Sequence, residues 1–355
     1  MSKKINVEEM LNRKSVKMNN KNIKELVENQ TILITGGGGS IGSELCRQIY
    51  KYNPKKIIIV DIYENNVYDM VVDLEQNEEK KIIDIVIGSI RDKKRMKYIF
   101  KKYKPDIVFH AAAHKHVPLM EDNPIEAIKN NIFGTKNVID CSAQNHIKKF
   151  VLISTDKAVK PTSVMGATKK MCEMITEAKS KTCNTDFIIV RFGNVLESNG
   201  SVIPLFKRQI ENNMPVTVTS KDVTRYFMTI TEAVTLILEA ASIGKNGKIF
   251  VLDMGKQINI YDLAVEIIKK MGKEPFTETP IKIIGLRDGE KLHEELLNEN
   301  EKKKISSHDK IYIATPLDIT QKEINEKLNI LKKLISKEDT SNQEIKQTLF
   351  KLIWL

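Results

Sequence analysis

The sequence predicts an α/β protein built on a doubly wound parallel sheet, with a smaller, mostly C-terminal lobe. Two observations carry this. From residue 30 onward, short β-branched runs alternate with longer amphipathic stretches, the pattern of βαβ units whose strands are buried on both faces. Beyond residue 193 that regularity gives way to loops rich in Gly, Asn and Pro, such as "GNVLESNGSVIP" and "ENNMPVTVTS". In order, the first region reads as strand "TILIT", a helix over about 41–51, strand "KIIIVD", a helix near 64–77, and strand "IIDIVIG". A helix near 93–102, strand "DIVFHA", a long helix near 124–145, strand "KFVLIS", a helix after Pro161 and strand "FIIVRF" follow. The second region holds helices near 204–211 and 231–242, a strand "KIFVL" returning to the main sheet, and two closing amphipathic helices. The expected division is a leader over 1–29 that packs on the surface or frays, a sheet domain over 30–193, and the second lobe over 194–355, discontinuous in sequence.

Composition removes several classes of function. No apolar run approaches the ~18 residues that a membrane helix needs, and the polar N-terminus lacks the apolar stretch of a secretory signal. A cytoplasmic protein without a membrane span is expected. The net charge of +11 comes from 57 Lys and Arg interspersed with 46 Asp and Glu, with no basic stripe, so an anionic small molecule is expected rather than nucleic acid. Cys46, Cys141, Cys172 and Cys183 show no CxxC spacing and read as buried reduced thiols.

"TILITGGGGSIGSEL" places Gly36, Gly39 and Gly42 between a strand and a helix, with Ser40 and Ile41 opening that helix. Such a loop makes a tight turn, lets backbone approach a pyrophosphate, and puts the phosphates at a helix N-terminus. Asp61 closes the next strand, where its carboxylate accepts from ribose hydroxyls and repels a 2′-phosphate. Together these point to a Rossmann-type dinucleotide site that prefers NAD to NADP. Ala111 to Ala113 suit the face of a flat cofactor, and His110, His114 and His116 read as loop or pocket lining, with no metal expected.

At the next strand end Thr155, Asp156 and Lys157 stand side by side, and Met165 and Lys169 follow one helical turn apart. Short-chain dehydrogenases place a proton-transferring tyrosine where Met165 stands, and a ribose-holding lysine at Lys169. A thioether takes no proton, so a plain alcohol dehydrogenase is not expected.

The stretches "LITGGGGSIGSELCRQI", "HAAAHKHVPLMEDNPIEAIKNNIFGT", "STDKAVKPTSVMGATKK", "RFGNVLESNGSVIPLF", "TRYFMTITEA" and "GLRDGEKLHEEL" resemble the extended short-chain dehydrogenase/reductase family of nucleotide-sugar enzymes. More narrowly, they resemble its polysaccharide-biosynthesis group of UDP-N-acetylglucosamine 4,6-dehydratases, from about residue 31 to 297. Residues 1–29 resemble the cytosolic segment before the catalytic domain of longer, membrane-anchored relatives; no anchor is expected here. The resemblance implies NAD, UDP-N-acetylglucosamine, and a cycle in which hydride leaves C4, water is lost across C5 and C6, and hydride returns to C6. Methionine replaces tyrosine elsewhere in this group.

By the same resemblance Asp156 is the acid for the C6 hydroxyl, Lys157 is an amine of lowered pKa that takes the C5 proton, and Thr155 holds the C4 oxygen. The C4 hydroxyl proton passes to Thr155, Asp156 or a water. Ser89 and Ile90 fall at the adenine, with Ser89 replacing a usual Asp; Ala111, Ala112 and Lys169 line the cofactor. Lys115, Asn194, Arg225, Arg287 and Glu290 are placed on the substrate, and Ser220 and Lys221 depart from the usual acid and proline. C5 retention is favoured over inversion. A 4-epimerase and a non-catalytic NAD-binding protein are the rival readings. A homo-oligomer is expected.

Overall fold

The computed structural model of the chain describes residues 20–75, 82–299, 301, 303–315 and 318–354. Residues 1–19 of the expected leader, and the end of the helix expected to reach residue 77, lie outside the described residues. The central sheet has nine strands, numbered here β1 (Thr31–Thr35), β2 (Lys56–Asp61), β3 (Ile83–Ile87), β4 (Ile107–His110), β5 (Lys149–Ile153), β6 (Asp186–Arg191), β7 (Lys248–Leu252), β8 (Lys304–Ile305) and β9 (Ile311–Ala314). Their order across the sheet is β8-β9-β7-β6-β5-β4-β1-β2-β3. The strands from β7 to β3 are parallel, and β9 and β8 add an antiparallel edge beyond β7. The chain reverses its direction of travel across the sheet between β1 and β4, and the crevice at such a switch point is where open α/β sheets hold ligands.

Strand alternation builds two apolar layers from one sheet. Leu33, Ile58, Val60 and Val108 face a layer completed by helices Lys93–Tyr103, Thr135–Gln144 and Val164–Ser180. Ile32, Ile34, Ile57 and Ile59 face the other layer, covered by helices Ser40–Tyr50 and Ile230–Ile243. Helix Asn20–Val27, within the expected leader, joins this second layer through Ile23 and Val27, both fully buried.

A separate small core gathers Ile203, Phe206, Val216, Val218, Leu263 and Ile267 from the segment after β6. Not all of residues 194–355, the span expected for the second lobe, joins this small core. The closing helices Gln321–Ile335 and Asn342–Trp354 pack their apolar stripes on helix Val164–Ser180, in the first layer of the main sheet. Their amphipathic faces are legible in sequence, whereas which core they cover is decided by β7 and β9 carrying the chain back to the sheet.

The long helix expected near 124–145 is not uniform. A π-helical stretch, Ile128–Gly134, interrupts it. Such bulges often mark functional positions, and this one brings Asn131, fully buried, between two site segments. Its Oδ1 accepts from the His114 amide at 2.8 Å, and its Nδ2 donates to the His114 carbonyl and to Thr168 Oγ1, both at 3.0 Å. Cys46, Cys141 and Cys172 are buried, as expected, and outside any disulfide among the described residues; Cys183 is only half-buried, because it falls in the turn after helix Val164–Ser180. Among the described residues no helix is long and apolar enough to cross a membrane.

Candidate active site

The loop after β1 meets the loop after β4 at backbone distance. Gly36 has φ +71°, and a Cβ placed there would lie 2.6 Å from the Ala112 amide nitrogen. Any other residue is both strained and obstructed at this position. Gly39, Ser40, Ile41 and Gly42 then run into the N-terminus of helix Ser40–Tyr50, whose unpaired amides attract an anion. Asp61 closes β2 beside this cradle: its Oδ2 accepts from the Gly38 amide at 2.9 Å and its Oδ1 from the Tyr63 amide at 3.0 Å. Farther along the same rim, Ser89 Oγ accepts from the Arg91 amide at 3.2 Å, while Ile90 is buried against Gly134. Ala111 and Ala112 form the neighbouring wall.

His110 lies beneath this rim and is 1% exposed. Its Nδ1 hydrogen bonds with Thr35 Oγ1 at 2.6 Å and its Nε2 with Thr135 Oγ1 at 2.8 Å, tying β1, β4 and the helix behind them. Burial first, and the Lys169 charge second, push its pKa down to about 3. The unfolded chain therefore binds this proton near pH 6.5 while the folded one refuses it until about pH 3. Stability falls on acidification through that window, by about 1.4 kcal/mol per pH unit from this group. Urea unfolding between pH 6.5 and 4 should show this slope, and His110→Gln should flatten it by the share of one proton.

The reactive groups stand at the end of β5. Asp156 is fully buried. Its Oδ1 accepts from Thr155 Oγ1 at 2.8 Å and from Lys157 Nζ at 3.0 Å, and its Oδ2 has no hydrogen-bond partner among the described residues. Lys157 Nζ also donates to Asn194 Oδ1 at 3.0 Å. Burial works to lower the pKa of Lys157, but Asp156 and Glu294 outweigh it and hold the amine above the ordinary lysine value. This corrects the expectation of a lowered pKa, since the sequence did not reveal two carboxylates around one ammonium.

Helix Val164–Ser180 starts from Ser163, whose side chain accepts from the Gly166 amide, a cap of about 1 kcal/mol. Its first turns carry Met165, 4% exposed in the apolar layer, and Lys169, which donates to the Ile153 carbonyl at 2.6 Å. Burial lowers the Lys169 pKa, opposed in part by Cys172 and Glu173. Met165 supplies packing and no titratable group.

A cleft of about 590 Å³, counted out to its open mouth, continues from Lys157 past Val117 and Pro118 to Arg225, Arg287, Glu290 and Lys291. Arg225 donates to Glu290 Oε1 at 3.0 Å and to the carbonyls of Thr224 and Leu292. Arg287 lies exposed on the wall. The structure thus brings Arg225, Arg287 and Glu290 into one cleft with Lys157, and Asn194 is joined to it through the hydrogen bond from Lys157 Nζ. Lys115 is exposed and precedes the wall at Val117. Two residues escaped the sequence reading: Asn131, signalled only by a polar pair inside an apolar helix, and Glu294, the second carboxylate near Lys157.

Residues 32–316 match the family model described as "Polysaccharide biosynthesis protein". The capsular polysaccharide biosynthesis protein CapD of Staphylococcus aureus is 50% identical over 312 residues, which cover 87% of this chain and 52% of that protein. The chain therefore spans about half the length of that curated relative. UDP-glucose 4-epimerase of Rickettsia akari is 35% identical over 77% of this chain and 79% of its own. UDP-N-acetylglucosamine 4,6-dehydratase (inverting) of Campylobacter jejuni is 34% identical over 81% and 83%. Among solved structures, Pen from Bacillus thuringiensis superposes with a TM-score of 0.76 at 35% identity, covering 82% of this chain and 91% of that one. DesIV from Streptomyces venezuelae, a dTDP-glucose 4,6-dehydratase with NAD and TYD bound, shares the fold at a TM-score of 0.66 and 20% identity, over 75% and 88%. With a glycine cradle, a Thr-Asp-Lys strand end around a buried aspartate and an arginine-lined cleft on a Rossmann-type sheet, the chain belongs to the polysaccharide biosynthesis protein family, whose relatives include nucleotide-sugar dehydratases and epimerases.

Proposed function

We propose that this chain is an NAD-dependent UDP-N-acetylglucosamine 4,6-dehydratase that retains the C5 configuration and serves polysaccharide or glycan synthesis. The observation that carries the reading is the Asp156 and Lys157 pair, sharing a 3.0 Å hydrogen bond at the inner end of the arginine-lined cleft. An epimerase exchanges hydride at C4 alone and leaves such an acid and base pair without work. Similarity to an inverting dehydratase supports the reaction and not its stereochemistry, so retention rests on the resemblance to the longer relatives.

NAD fits the residues present. The cradle at Gly36 takes no side chain, and Asp61 presents a carboxylate at its rim. Lys169 would hold the nicotinamide ribose and Asp61 the adenosine ribose, and the bound NAD would supply the hydride chemistry, taking hydride from C4 of the sugar and returning it to C6. NAD should bind more tightly than NADP, and Asp61→Asn should narrow the gap; isothermal titration with both cofactors checks this, and a preference for NADP in the unaltered protein refutes it.

The remaining chemistry belongs to the strand end. Once C4 is a ketone, the C5 proton is acidic enough for an amine to remove. Elimination needs Lys157 neutral and Asp156 protonated. A proton crossing their shared hydrogen bond produces both states at once, without a proton from solvent. Neutral Lys157 then takes the C5 proton, and Asp156 gives its proton to the departing C6 hydroxyl. As hydride reaches C6, Lys157 returns a proton to C5, and the proton shed by the C4 hydroxyl, through Thr155, Asp156 or a water, restores the charge of the pair. Thr155, bonded to Asp156, holds the C4 oxygen. Arg225 and Arg287 meet the diphosphate with charge-assisted hydrogen bonds. Because hydride returns to the same sugar, turnover of UDP-N-acetylglucosamine should leave no net reduced cofactor; stoichiometric absorbance of reduced nicotinamide would mark a net oxidoreductase instead.

A further inference from the structure

Glu294 takes no part in that chemistry, yet it is 4% exposed on the wall of the same cleft. Its Oε1 lies 3.7 Å from the Lys157 ammonium. Its Oε2 is buried without a hydrogen-bond partner among the described residues, 3.7 Å from Lys291 Nζ, which itself donates to the Val159 carbonyl at 2.7 Å. A carboxylate withdrawn from water costs several kcal/mol unless cations compensate it. Here two lysines stand within reach of its charge without a hydrogen bond to it.

The charged groups facing Lys157 come from three segments. Asp156 belongs to the turn after β5, and Arg225 to the short strand Thr224–Arg225, where it is paired with Glu290. Glu294 and Lys291 belong to the loop that follows Arg287. Of these, Asp156 is needed as the acid, and its proton moves during the cycle under the reading above. Glu294 is the carboxylate that the chemistry does not use.

We propose that Glu294 is a positioning residue that, with Asp156, holds the Lys157 side chain as a cation in the resting site and sets the pH above which this lysine loses to solvent the proton that the pair must share. The inference rests on the dehydratase reading for its purpose, and on the geometry alone for its existence. Removal of the charge favours the neutral amine.

The test reads Lys157 directly. An amine reacts with acetic anhydride only when neutral, so the labelling rate of Lys157, followed by peptide mass spectrometry across pH in the full chain, gives its midpoint. Glu294→Gln, with the same shape and no charge, should lower that midpoint by about one pH unit. It should also bring the high-pH limb of kcat, where Lys157 loses its proton to solvent and Asp156 can no longer be charged with one, down by the same amount. Glu294→Asp keeps the charge one methylene farther back and should show a smaller shift in the same direction, which also serves if the glutamine variant does not fold. Midpoints equal to that of the unaltered protein in both variants overturn the proposal. Turnover by the unaltered protein is measured separately. A lysine that shifts as described in a protein that does not dehydrate the sugar contradicts the functional reading and supports the role of Glu294.

Discussion

Lys157→Ala should lose about 10² or more of the turnover of UDP-N-acetylglucosamine, the scale expected when a general base is removed. The variant keeps the glycine cradle, Asp61 and Lys169, so cofactor and sugar still bind and hydride still leaves C4. Reduced nicotinamide should therefore appear and persist, because elimination cannot follow. Asp156→Asn should stall at the same stage, with a loss of similar size, because it removes both the acceptor of the Lys157 proton and the donor to the C6 hydroxyl. If Asp156 also takes the C4 hydroxyl proton, that variant makes no reduced cofactor, and single-turnover absorbance separates the two cases. Met165→Leu should retain most activity, since the thioether passes no proton and leucine nearly conserves volume in the apolar layer. Full turnover by Lys157→Ala would remove lysine from the mechanism.

Arg191→Met should lower stability by about 3–5 kcal/mol, the cost of breaking a buried ion cluster from one side. Arg191 ends β6 and is fully buried. It grips Glu173 through two hydrogen bonds of 2.7 Å and Glu301 through two of 2.9 and 2.7 Å. Ser154 Oγ donates to the same Glu173 at 2.7 Å, one residue before Thr155. Burial acts to raise the pKa of Glu173, but Arg191, with Lys170 and Ser154, holds it below the ordinary carboxylate range. The cluster thus fastens β5, β6, helix Val164–Ser180 and the loop at Glu301 directly behind the reactive strand end. Without the guanidinium, two carboxylates are left with Lys170 as the nearby cation, 3.8 Å from Glu173. Urea unfolding at neutral pH measures the loss, and Arg191→Lys should recover only part of it, because an ammonium cannot grip two carboxylates bidentately.

The parallel sheet was legible because each strand is a short β-branched run and each intervening helix keeps its apolar stripe. The glycine loop and Asp61 were legible because a strand, a tight turn and a helix leave little freedom in spacing. The return of Ile311–Ala314 to the sheet as an antiparallel edge was not, since four residues carry no sign of which strand they join. Nor was the π-helical stretch, where hydrogen-bond register shifts without a change in composition. At the site, Thr155, Asp156 and Lys157 are neighbours in sequence and were read together. The electrostatics of Lys157 depend on Glu294, 137 positions away, and a pairing of that kind is created only by the fold. That is why the amine was expected with a lowered pKa and stands raised.

Proton NMR of the full chain with UDP-N-acetylglucosamine in deuterated water tests the central claim most directly. The account predicts that the C6 hydroxymethyl signals give way to a methyl group beside a C4 ketone, with ring couplings of the original C5 configuration and no accumulation of reduced cofactor. A sugar that keeps its C6 hydroxymethyl group and changes configuration at C4 would make the chain an epimerase and contradict the account.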